Sequence, residues 1–346
     1  MRLPIARVLG GALLLALACF AHAVSAAGAV GEGYRYYDIG DIDAARPGTV
    51  RPGMLLVGGG DWPYDGFRWF IDRAGHGRIV ILRASGDVEA QKEFFDDIGG
   101  ITAAQTLVFS DRRAASDPRV LGIVRSADGL FLAGGDQANY VRYWKDTPLA
   151  AAISEHVRSG KPIAGTSAGL AVLGAHVYGA LDGGSQTSPE ALADPAGPQS
   201  TLVGDFLRLP FLGIVITDSH FDQRARQGRL IAWIARLMHE HARTDITGLG
   251  IDEYTALAID GDGIARVFSG NGGHVWLFRP LRAADVYAPS KPLSFHAVPA
   301  IGLGTDSVLH LPQFRVERPA FQVVYDVEAG TLRRRDDPGA QVANQP

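Results

Sequence analysis

The chain has 346 residues, 47% of them hydrophobic and 20% charged, with a formal net charge of −4. That length and apolar content can build one large core, and the mildly negative balance argues against nucleic acid or anionic membrane surfaces as partners. The single cysteine, Cys19, leaves no intrachain disulfide and, outside its own position, no thiol nucleophile or thiolate zinc site.

In chain order, Arg2 and Arg7 give a basic start, residues 8–20 form an apolar run, and Ala21-His22-Ala23 and Val24-Ser25-Ala26 follow. Residues 1–26 therefore predict a cleaved signal peptide, and the run is too short to span a bilayer. Cleavage would remove Arg2 and Arg7 and take the charge from −4 to −6. The expected location is the periplasm or the medium. A lipoprotein anchored through Cys19 is the weaker reading, because Ala16-Leu17-Ala18 is a poor lipobox. Residues 27–50 are Gly/Ala-rich and read as a flexible lead-in.

Short apolar runs then recur at 54–58, 78–84, 106–109, 129–132, 162–164 and 212–217. Runs of that length, closed by Gly or polar residues, suit strands buried on both faces. Helical candidates lie between them at 66–74, 88–98, 138–145, 149–159 and 223–241. The alternation predicts a three-layer α/β/α fold on a mostly parallel, flavodoxin-like sheet, with ligands meeting the carboxyl ends of the strands. Residues 181–205, rich in Gly, Pro and Ser, read as a long loop. From 248 onward, short strands at 257–259, 264–268 and 274–278 follow. The expected organisation is a catalytic domain over 51–280, a β-rich C-terminal extension over 281–334 and a disordered tail over 335–346.

Four segments at predicted strand ends could carry chemistry. In Gly165-Thr166-Ser167-Ala168-Gly169 a strand enters a sharp turn and a helix begins, as in a nucleophile elbow. The Ala168 amide would then face an oxyanion. Ser167 could equally be a plain helix cap. In Gly134-Gly135-Asp136-Gln137, Gly135 could supply a second oxyanion donor and Gln137 could bind substrate, or Asp136 could simply cap a helix. Asp218-Ser219-His220 opens a polar run containing Arg224, Arg226 and Arg229. There His220 is the best-placed general base, and the arginines could bind carboxylates or form an exposed basic face. In Gly250-Ile251-Asp252-Glu253, after a Gly-rich turn, one acid could orient His220. Asp252, Glu253 and Asp222 all stay open for that role.

Gly-Gly-Asp-Gln, Gly-Thr-Ser-Ala-Gly, Asp-x-His-Phe-x-x-Arg-x-Arg-x-x-Arg and Gly-Ile-Asp-Glu stand in the order seen in cyanophycinases, serine peptidases related to peptidase E. The resemblance covers about 52–280. It implies a class I glutamine-amidotransferase-like fold and hydrolysis of cyanophycin to β-aspartyl-arginine dipeptides by Ser167 (nucleophile), His220 (base) and Glu253 (third member), with attack expected at the isopeptide carbonyl. It places Gln137, Asp218, Arg224, Arg226 and Arg229 in the substrate pocket, implies no metal or cofactor, and suggests a homodimer. Ser219 departs from it, since the family usually has Gln there. Other readings are a same-fold peptidase for other aspartyl or small peptides, or a catalytically silent binding protein. An α/β-hydrolase esterase fits poorly, since that fold orders its triad Ser, acid, His.

Overall fold

The computed structural model describes residues 30–86 and 88–336. The predicted signal peptide, with Cys19, and residues 337–346 of the predicted tail lie outside the described residues. Among those described, no helix is long and apolar enough to cross a membrane.

Five parallel strands form the centre of an 11-stranded sheet, in the spatial order Ala103–Phe109, Arg78–Arg83, Gly129–Leu132, Ile163–Thr166, Gly53–Val57. Successive side chains of a strand point to opposite faces, and here both faces are covered. Met54 and Leu56 pack with Val80, Leu82, Val120, Tyr140 and Trp144 on one side. Leu55 and Val57 pack with Phe67, Phe70, Ile79, Ile81 and Phe131 on the other. This explains why the strands read as unbroken apolar runs. The helices Pro118–Ser126, Gln137–Trp144 and Pro148–Arg158 supply residues to the first face, and Tyr64–Arg73 to the second. The chain is thus an α/β protein built on a parallel sheet, with a β-rich C-terminal part.

Antiparallel strands extend this sheet on both sides. One is Tyr34–Gly40, which pairs with Ala103–Phe109 and corrects the expected flexible lead-in over 27–50. Tyr34, Tyr36 and Ile39 are buried there, and the alternation was hidden by the surrounding glycines and alanines. A second sheet of eight strands contains Val215–Asp218 and Thr247–Ile251, which are parallel neighbours. Beyond residue 280, Phe295–Leu303, Phe321–Glu328 and Thr331–Asp336 continue this second sheet, while Val308–His310 and Arg315–Glu317 join the first. The last strand takes in the first two residues of the expected tail, 335 and 336.

Other expectations change. The supposed loop over 181–205 contains the helix Ser188–Ala193, opened by a Thr187/Glu190 capping box, and the strand Leu202–Gly204. The helix expected over 223–241 is Gln227–Glu240, so Arg224 precedes it and Arg226 caps it. The Gly-rich turn expected before Asp252 is the buried strand Thr247–Ile251. Its glycines make room: a Cβ on Gly250 would lie 2.4 Å from the Phe221 ring, and one on Gly248 would lie 2.7 Å from Ile234.

Candidate active site

The strand Ile163–Thr166 is wholly buried and ends at Ser167, which opens the short helix Ala168–Ala171. Ser167 has φ 53° and ψ −115°, a conformation that costs a side-chain-bearing residue about 1–3 kcal/mol. The flanking glycines allow it. A Cβ on Gly169 would sit 2.0 Å from the carbonyl oxygen of Leu132, and one on Gly165 2.7 Å from that of Gly169. The turn is therefore the strained elbow that the sequence predicts.

His220 follows the strand Val215–Asp218 and also has positive φ, 47°. Its Nε2 lies 2.8 Å from Ser167 Oγ, and its Nδ1 2.5 Å from Glu253 Oε1. With the Nδ1 proton donated to the carboxylate, Nε2 is left to accept from the hydroxyl. The imidazole is held below its ordinary pKa, chiefly by burial; the Glu253 bond opposes this, and the charges of Arg224 and Arg226 add to it. The lowering favours the neutral imidazole, the form that can take the Ser167 proton.

The three candidate acids have separate fates. Glu253 meets His220. Asp252, 3% exposed, accepts from the amides of Asp222 and His274 and from Trp276 Nε1. Asp222 accepts from Gln227 Nε2.

Sequence reasoning overlooked Gly58-Gly59-Gly60, at the end of Gly53–Val57. The Val57 carbonyl accepts from Ser167 N, Gly58 from His220 N (2.7 Å) and Gly59 from Tyr254 N (2.9 Å). Side chains are excluded: a Cβ on Gly59 would lie 2.4 Å from His220 Cε1, and one on Gly58 2.0 Å from the Asp252 carbonyl oxygen. Three glycines closing a buried strand were the available signal. Gln223, whose Oε1 accepts from Glu253 N at 2.9 Å, was also missed.

A cavity of about 260 Å3 opens on one side of the Ser167–His220 pair. It is lined by Gly135, Gln137, Ala168, Asp218, Ser219, Arg224 and Arg226, together with Tyr178 and, from the supposed loop, Ser185. Gly135 has φ 141°, and a Cβ there would meet Ser85 Oγ at 2.3 Å. Gly134 lies closer still to Ser167: a Cβ on it would be 3.5 Å from the serine Cβ. The amide of Ala168 opens its helix, where first-turn amides have no intrahelical partner. Asp136 caps the following helix by accepting from Ala138 N, so capping and cavity lining coexist in this motif.

The three arginines do not splay alike. Arg224 is exposed. Arg226 donates to Asp218 Oδ1 (3.2 Å) and to the Ser219 carbonyl (2.7 Å). Arg229 is 2% exposed; it grips Asp218 through Nε and an amino group, bonds Ser185 and the Gln186 carbonyl, and lies over the Tyr178 and Trp233 rings. Arg229 thus supports the wall from behind, which corrects its expected place in the pocket.

The family model described as Peptidase family S51 matches residues 88–267. The chain belongs to peptidase family S51. It is similar to a cyanophycinase of Trichormus variabilis, 29% identical over 270 residues that cover 74% of this chain and 84% of the relative. A cyanophycinase of Geminocystis herdmanii is 30% identical over 224 residues, covering 62% and 76% respectively. One from Synechococcus elongatus is 34% identical over 192 residues, 54% of each. This member of S51 is therefore a cyanophycinase-like, serine-type peptidase.

Proposed function

We propose that the chain is an exported serine peptidase that hydrolyses cyanophycin to β-aspartyl-arginine dipeptides. One observation carries the mechanism: the continuous relay from Ser167 Oγ through His220 to Glu253, at 2.8 and 2.5 Å, on a strained elbow. In this reading His220 Nε2 takes the hydroxyl proton as Ser167 Oγ attacks the carbonyl carbon. Amides of Ala168 and of the Gly134-Gly135 turn hold the oxyanion. The C–N bond breaks, Nε2 returns the proton to the leaving amine, and water then frees the acyl group by the same steps. Glu253 keeps the imidazole in the tautomer that has Nε2 free.

Mass balance revises the expected bond. Release of an intact β-aspartyl-arginine unit preserves the isopeptide, so the amide that is cut joins one backbone aspartate to the next. Gln137, Arg224 and Arg226 offer a donor-rich pocket for the carboxylates of such a unit. Ser219 supports a second reading, a peptidase for other aspartyl peptides, because a hydroxyl replaces the longer amide there. Purified protein assayed on insoluble cyanophycin and on a panel of aspartyl dipeptides decides between them. Dipeptide release from the polymer, lost in Ser167→Ala, is the expected result; cleavage of the panel alone would sink the cyanophycin reading. Export rests on the signal-peptide pattern in residues 1–26. It is tested by N-terminal sequencing of the protein from cell fractions, and an uncut N-terminus in the cytosol would overturn it.

A further inference from the structure

Ser167 and His220 also line a second cavity, of about 360 Å3, on their other side. Its walls include Trp62, Phe131, Arg83, Glu89 and Glu93. Trp62 is stacked on Phe67 at 4.2 Å and 10° and meets Phe131 edge-on at 5.1 Å, which makes the indole a fixed wall. Glu93 accepts from Tyr64 Oη at 2.6 Å; a carboxylate has about four acceptor sites, so this bond leaves capacity for more. Thr166, 7% exposed, lies on the same wall, and its buried Oγ1 has no hydrogen-bond partner among the described residues. Leaving such a group unpaired is unfavourable.

We infer that this cavity is a second substrate subsite, which receives a guanidinium-bearing side chain from the unit across the scissile bond from the pocket of Arg224 and Arg226. The inference rests on the peptidase reading above. Carboxylates beside a rigid indole suit a planar guanidinium, by bidentate bonding and by cation–π contact. Arg83, whose Nε donates to the Ser85 carbonyl at 2.6 Å, stands on the same wall. A two-unit substrate would place one unit on each side of Ser167, so that both cavities help to set the cleavage position.

The test uses two-unit β-aspartyl-arginine peptides in which either the first or the second arginine is replaced by neutral, near-isosteric citrulline. Values of kcat/KM are compared for the wild type and for the double variant Glu89→Gln/Glu93→Gln, with thermal melting as the check on folding. At one position the wild type should lose about tenfold or more, and the variant should discriminate far less. At the other position both proteins should respond alike. Equal discrimination by both proteins at both positions, or none by the wild type, overturns the subsite. If no peptide is cleaved, the cyanophycin reading fails separately. Calorimetry of arginine amide against citrulline amide on Ser167→Ala, with and without the two Glu→Gln changes, then decides. An arginine preference that disappears with the glutamates sustains the subsite, and equal binding overturns it. If the double variant melts early, Glu93→Gln alone is carried through the same comparisons.

Discussion

The turn at Ser167 and the turn at Glu253 both end buried parallel strands and face one imidazole, yet they are held by different means. The Ser167 turn carries its own device, Gly165, Gly169 and a strained φ within five residues, in addition to the Val57 carbonyl on its amide. The Glu253 turn is secured from a distance, by Gln223 on its amide and by Asp252 binding donors from Asp222, His274 and Trp276. A local device leaves a mark in the sequence, whereas a distributed one does not.

Breaking the two turns should give different signatures. Ser167→Ala should lower kcat by about 10^4-fold or more with little change in melting. Ser167→Gly, equally inactive, should melt higher, by about 1 kcal/mol, because glycine accepts positive φ without strain. Activity within tenfold of wild type in either variant would remove Ser167 from its role.

At the second turn the two neighbouring acids should separate. Glu253→Gln should cost about 10^2- to 10^4-fold in kcat with near-native stability. Asp252→Asn should cost mainly stability, about 1–3 kcal/mol, because an amide group turns a donor toward amides that need an acceptor. The opposite pattern in paired melting and kinetic measurements would exchange their roles.

The acid limb of kcat/KM gives a finer test. In the proposed mechanism the base is neutral His220. Its pKa is lowered from 6.5, chiefly by burial, so the base form persists to lower pH and the limb should fall below 6.5. Arg224 contributes to the lowering, so Arg224→Gln should move the limb upward; an unmoved limb would show that its charge does not reach the imidazole. Gln223→Ala should give the smallest effect, a loss of about threefold to tenfold in kcat, as one hydrogen bond to the Glu253 turn disappears. A larger loss than that of Glu253→Gln would mean that Gln223 acts directly on substrate.

The same contrast explains what the sequence could and could not reveal. Parallel strands at the centre were legible because both faces are covered and the runs are apolar throughout. The elbow and its order relative to His220 were legible because each lies within a few residues. Choosing among Asp222, Asp252 and Glu253 required partners some 20 to 30 residues away. Arg229 was misplaced for a related reason, since its carboxylate partner lies 11 residues back, at Asp218, and its remaining bonds go to Ser185 and Gln186. Tyr34–Gly40 was overlooked because its partner strand begins at Ala103.

The consecutive carbonyls of Val57, Gly58 and Gly59 each anchor one of the three turns. Serine, histidine and glutamate are thus indexed to a single ruler, which shifts them together or not at all. The stretch over 181–205, which contributes Tyr178's neighbour Ser185 to the pocket wall, is not attached to that ruler. Ser185 reaches the His220 segment only through Arg229 and Asp218, so exchanging this part of the pocket wall should alter the pocket with the Ser167–His220–Glu253 geometry left in register.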